Sequence, residues 1–174
     1  MPKTGRLGTA GVTAAQALLR TAVGGTLIAH GVKHGRSLQG TANWFGSIGF
    51  RQPKLQAQAS AAVEIGAGVA MVVGAAVPLS AAAAVGTMAV AARSVHLRNG
   101  FFITSEGWEY VMNLGAAAVA LAALGAGPLS IDRALGWDKK LSGTQGALLA
   151  SGLGLVGAAA QLAMFYRKPP RPSH

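Results

Sequence analysis

The 174-residue chain contains no cysteine, which excludes disulfides, thiolate metal sites, cysteine nucleophiles and CxxC redox chemistry. Any redox work therefore needs a borrowed cofactor. Charge is scarce too: charged residues make up 11% of the chain, against about 25% in an ordinary soluble domain. Hydrophobic residues make up 51%, and the mean hydropathy is +0.41. So little charge implies lipid rather than water around much of the surface. Acids are scarcest, five against 15 Lys and Arg, for a net charge of +10. Such a balance can mark a nucleic-acid binder. Here the cations fall in short clusters between apolar runs, where anionic headgroups and membrane orientation account for them. The expected partners are membrane lipids, not nucleic acid.

What the chain does have is apolar length. Five segments, at about 13–33, 56–77, 79–97, 109–126 and 143–166, approach the ~20 residues a membrane-crossing helix needs. The predicted fold class is all-α, an integral membrane helical bundle. Gly24-Gly25, Gly66-Ala67-Gly68 and Gly152-Leu153-Gly154 would let helix backbones approach closely. The first segment follows MPKTGR without a small-residue cleavage site, so it reads as a retained span rather than a secretory signal.

The connections are unequal. Spans two and three join through little more than Val77-Pro78-Leu79-Ser80, whereas HGVKHGRSLQGTANWFGSIGFRQPK joins one and two, and RSVHLRNGFFITSEGWEYVMN, Arg93 to Asn113, joins three and four. In an up-and-down bundle both long connections fall on one membrane face. Seven of the ten aromatics lie in them, as expected of a headgroup-level belt. The segment GPLSIDRALGWDKK reads as a short amphipathic piece at the other face, with Ser130, Asp132 and Arg133 capping or pairing locally. The tail YRKPPRPSH is basic and proline-rich, suited to anionic lipid.

Ionisable groups converge on the face with the long loops. His30, Lys33 and His34 share one side of the first helix by their spacing. Glu64 falls roughly 12 Å into the second span, where an isolated carboxylate must be neutral or paired. Arg93 and His96 sit a turn apart at the end of the third, and Glu109, Tyr110 and Asn113 open the fourth. A satisfied network, with Glu64 held by Arg93 or a histidine, would only fix helix register. Three histidines, a lysine, an arginine and two glutamates exceed what register needs. The His-x3-His pair with a glutamate hints at a metal, but Lys33 and Arg93 would repel a cation, so no tightly bound metal is expected. The set suits an amphiphile with a carbonyl or anionic head, such as a quinone or a lipid phosphate, with histidine passing a proton.

These residues resemble the DoxX family of small bacterial membrane proteins. The matching pieces are AHGVKHG at 29–35, FGSIGF at 45–50, EIGAG at 64–68, VHLRNGFF at 95–102, EGWEY at 106–110 and GPLSIDRALG at 127–136. The resemblance implies a four-helix up-and-down membrane domain over 1–137, to which 138–174 adds a fifth transmembrane helix and the basic tail. It also implies membrane-linked redox association, since the family includes a subunit type of thiosulfate:quinone oxidoreductase and members tied to oxidative stress. His30, Lys33, Glu64, His96, Asn99 and Glu109 are carried over as positions matching the motifs, without assigned catalytic roles.

The resulting expectation is a multi-pass protein of the cell membrane, a subunit of a quinone-associated redox complex whose electrons come from a partner protein. Its ligand site would comprise His30, Lys33, His34, Glu64, Arg93, His96, Asn99, Glu109, Tyr110 and Asn113. No cofactor is expected to be tightly bound; a quinone would visit. The alternative is a non-catalytic lipid-binding or assembly protein. Charge counting places Lys3, Arg6, Arg133, Lys139 and Lys140 on one side and the site-face cations, including Arg171, on the other, which favours the site facing the cytoplasm. The resemblance implies the reverse, with the N-terminus inside, and is preferred because cations of the site are not topology signals.

Overall fold

The computed structural model describes residues 4–141 and 143–169, and of residues 4–8 only the backbone. Lys3, Arg171 and the side chain of Arg6, used above for orientation, lie outside the described residues. The described chain is all helical, its only β feature being an isolated bridge between Phe50 and Tyr166. The helices are α1 (Thr4–Arg36), α2 (Leu38–Ser47), α3 (Pro53–Val73), α4 (Val77–Ala91), α5 (Glu109–Leu124), α6 (Ile131–Ala134) and α7 (Gly143–Phe165). Four helical stretches are long and apolar enough to cross a membrane: Thr9–Arg36, Pro53–Val73, Val77–Asn99 and Gly143–Phe165.

The fourth expected span differs. α5 has 16 residues, about 24 Å of helix against a hydrocarbon core of about 30 Å. It stops because Gly125, at φ +78° and ψ 175°, leaves the helical region where a side chain would be strained.

α1 packs on α3, α3 on α4, α4 on α5 and α5 back on α1, closing a four-helix ring, while α7 lies outside it against α4 and α5. Lipid tails are as apolar as leucine, so contact between such helices depends on close approach rather than on hydrophobic burial. A Cβ at Gly24 would sit 2.7 Å from the Gly68 carbonyl oxygen, and one at Gly68 would sit 2.6 Å from that of Gly24. α1 and α3 therefore touch backbone to backbone. Gly154 does the same for α7, a Cβ there meeting the Ala82 oxygen at 2.7 Å. Their neighbours Gly25, Gly66 and Gly152 face open space.

Two apolar clusters fill the bundle. One joins Val23, Leu27, Met71, Val77, Val85, Leu121 and Ala150 across the ring and α7. The other seats α2 against the end of α7 through Phe45, Ile48, Phe50 and Tyr166. Two backbone bonds flank that contact, Arg51 N–H to the Phe165 oxygen at 2.7 Å and Arg167 N–H to the Gly49 oxygen at 2.9 Å. The fifth span thus ends on the face that carries the long loops. Of the loop aromatics, Phe45 and Phe50 are interior and only Trp44, Phe101 and Phe102 form an exposed belt.

Candidate functional site

On that face the helices surround a cavity of about 640 Å³. Of the ten residues expected at a site, His30, Lys33 and His34 from α1, Glu64 from α3, His96 after α4 and Tyr110 from α5 line it. The loop after α4 folds over it, contributing Ile103 and Glu106, and α2 contributes Trp44. That fold is fixed by local bonds: Phe101 packs edge-on against Trp108 with ring centres 4.8 Å apart, and the Ile103 N–H donates to Glu109 Oε2 at 3.0 Å.

The deepest polar group is Glu64, at the midpoint of α3 and 4% exposed. One turn earlier, Ser60 Oγ donates to Glu64 Oε1 at 2.8 Å. Having spent its one proton, Ser60 Oγ accepts from His34 Nδ1 at 3.0 Å. The His34 proton is thereby placed on Nδ1, and the neutral ring keeps an acceptor at Nε2. Glu64 Oε2 lies 3.2 Å from the same Nδ1, close enough for an ion pair when His34 is protonated, yet it has no hydrogen bond of its own. A buried carboxylate oxygen without a donor is costly unless something supplies one. His34 also lies face to face with Trp44, ring centres 6.3 Å apart, and the His30 ring stands 6.5 Å from it. His30 Nε2 reaches the Tyr110 hydroxyl at 3.5 Å. His96 is fixed by Nδ1–H donating to the Glu106 carbonyl at 2.6 Å, which again leaves Nε2 as the acceptor.

Four expected site residues are placed elsewhere. Arg93 does not meet Glu64 and does not line the cavity; its guanidinium lies over the Tyr166 ring of the α7 end, 5.5 Å from the centre. The cause is a π turn at Ala92–His96. With i→i+5 closure a turn holds an extra residue, so Arg93 and His96, which an α-helix would stack on one side, diverge. Repulsion of a metal by Arg93 therefore does not apply in the cavity. Glu109 is consumed by the Ile103 N–H, Asn99 reaches only the Glu106 oxygen at 3.4 Å, and Asn113 is exposed away from the cavity. Ser60 and Thr87 were not foreseen. Ser60 had a signal, since it stands four residues before Glu64 on the same helix side; Thr87 had none.

At the opposite face a second polar network, also unforeseen, is closed. Arg20, 8% exposed, donates from Nε to the Met71 and Val72 oxygens at 3.2 Å, from Nη2 to the Val72 oxygen at 2.6 Å, and from Nη1 to the Ala126 and Leu129 oxygens at 3.0 and 2.5 Å. It thus satisfies carbonyls at the C-terminal end of α3 and after α5. Asp132, expected only to cap locally, instead accepts from the Ala76 and Val77 N–H groups at 2.6 and 2.9 Å, capping α4. Ser130 does cap α6, accepting from the Arg133 N–H at 3.1 Å.

No curated protein and no solved structure matches the chain. The model of the DoxX family matches residues 15–97, from α1 through the π turn that follows α4, and α5 and α7 fall beyond the match. The His30–His34 pair and Glu64 fall in that stretch, over which this multi-pass helical membrane protein is similar to the DoxX family.

Proposed function

We propose that the cavity seats the head of a quinone at one face of the cell membrane, within a redox complex in which a separate protein supplies the electrons. Quinone carbonyls need hydrogen-bond donors, and on reduction they take up protons along with electrons. The chain Glu64–Ser60–His34 supports this reading above all: a buried carboxylate fixes a histidine at the cavity wall through a serine hydroxyl. Protonated at Nε2, His34 donates to a carbonyl oxygen, and Glu64 stabilises the imidazolium across 3.2 Å. His30, one turn before His34 on α1, forms a second hydrogen-bonding pair with Tyr110 beside it. Lys33, exposed at the rim, favours a different occupant, a lipid phosphate held without chemistry.

Extraction in mild detergent distinguishes the two. An absorption spectrum and analysis of co-extracted lipids should show quinone with the unaltered protein and none with Glu64→Ala or His30→Ala. Phospholipid retained without quinone would establish the lipid-binding reading instead.

A further inference from the structure

A second cavity, of about 320 Å³, backs onto the first. The two share His34, Trp44, Glu64, Thr87, Ala91 and Val95, so the histidine–carboxylate pair stands in the partition between them. Their other walls differ. The first is roofed by the long loop, while the second lies between α3 and α7, with Leu55, Ala59 and Val63 on one side and Gln161 and Phe165 on the other. Val63, 45% exposed, lies in the middle of a membrane-crossing segment, which makes its surroundings hydrocarbon, and Leu55, 48% exposed, lies near the start of the same segment.

α7 meets α3 through one polar contact, Gln161 Nε2 donating to Gln56 Oε1 at 2.8 Å. An amide in the apolar slab must find such a partner, so the pair ties α7 to α3 across the cleft instead of letting it close or drift. The helix beyond the DoxX match therefore supplies one wall of a chamber that abuts the head cavity across that partition.

We propose that this chamber is the exit for the hydrocarbon tail of the quinone, and that α7 is what makes the site select tailed quinones. The proposal rests on the quinone reading above. A head seated against His34 and Glu64 must send its tail somewhere, and a second chamber, lined mainly by apolar side chains, lies against those same two side chains.

The test uses the full chain in lipid nanodiscs with Trp108→Phe and Trp137→Phe, which leaves Trp44, common to both cavities, as the sole tryptophan. Quenching of Trp44 is titrated with a tail-less benzoquinone and with the same ring carrying a decyl chain. Ala59→Phe fills the chamber from a position outside the head cavity, and Ala62→Phe, exposed on the same helix and outside both, is the control. Ala59→Phe should weaken the tailed probe by roughly tenfold or more, a difference of about 1.4 kcal/mol, by obstructing the exit. It should leave the tail-less probe within about twofold, and Ala62→Phe should move neither. Equal effects on both probes, or none on the tailed one, would overturn the exit while leaving the head site standing. Failure of the tail-less quinone to quench the unaltered protein would remove the head site and the exit together.

Discussion

The two ends of this bundle treat buried charge in opposite ways. At one end Arg20 and Asp132 are each surrounded by backbone groups, and every contact stitches one helix terminus to another. At the other end Glu64 makes one hydrogen bond through Oε1, leaves Oε2 without one, and fronts a cavity of about 640 Å³. The first arrangement uses charge to complete backbone hydrogen bonding where the helices end. The second keeps donor and acceptor capacity in reserve, which is the condition for binding something. The same cost of burying a charge thus distinguishes a fastening from a site.

Substitutions at the two ends should separate stability from binding. Arg20→Leu should have the largest effect, leaving four buried or half-buried carbonyls without their donor, a loss of about 3 kcal/mol or more; thermal unfolding in detergent would read it. Asp132→Ala, which strips two buried N–H groups of their acceptor, should cost about 2 kcal/mol by the same measurement. Glu64→Gln keeps an acceptor for Ser60, so its stability should change by less than about 1 kcal/mol while co-extracted quinone is lost. A large unfolding effect with retained ligand would erase the distinction between the ends. The smallest effect should have the opposite sign. Ala76 is held at φ +46° beneath Asp132, a conformation glycine adopts without strain, so Ala76→Gly should raise stability by about 0.5–1 kcal/mol.

Much of this was legible from the sequence, for reasons that also mark where reading stops. Apolar length and missing charge gave the helices, because lipid leaves few other ways to satisfy a backbone. The His30–His34 spacing and the intramembrane Glu64 were visible because α-helical periodicity holds along α1 and α3. Periodicity failed at Arg93, where the π turn alters the phase and no residue in ARSVH announces it. It failed for Glu109 because a loop's own N–H took the carboxylate first. Arg20 was overlooked although a lone arginine inside an apolar run is itself a signal. Its partners are main-chain oxygens contributed by α3 and by the segment after α5, and no side-chain pattern encodes those. The glycine pairs were half readable: composition indicated close approach, but only helix rotation decides that Gly24 faces α3 while Gly25 faces away.

The surplus residue between Ala92 and His96 works as a clutch. Wound at α-helical pitch with no residue removed, the segment would swing whatever follows it by about 100° relative to α4. The imidazole now pinned to the Glu106 carbonyl would lose its station on the cavity wall, and the loop that roofs the chamber would have to re-seat with it. One extra residue of backbone therefore decides which basic side chain, guanidinium or imidazole, is presented to a bound molecule.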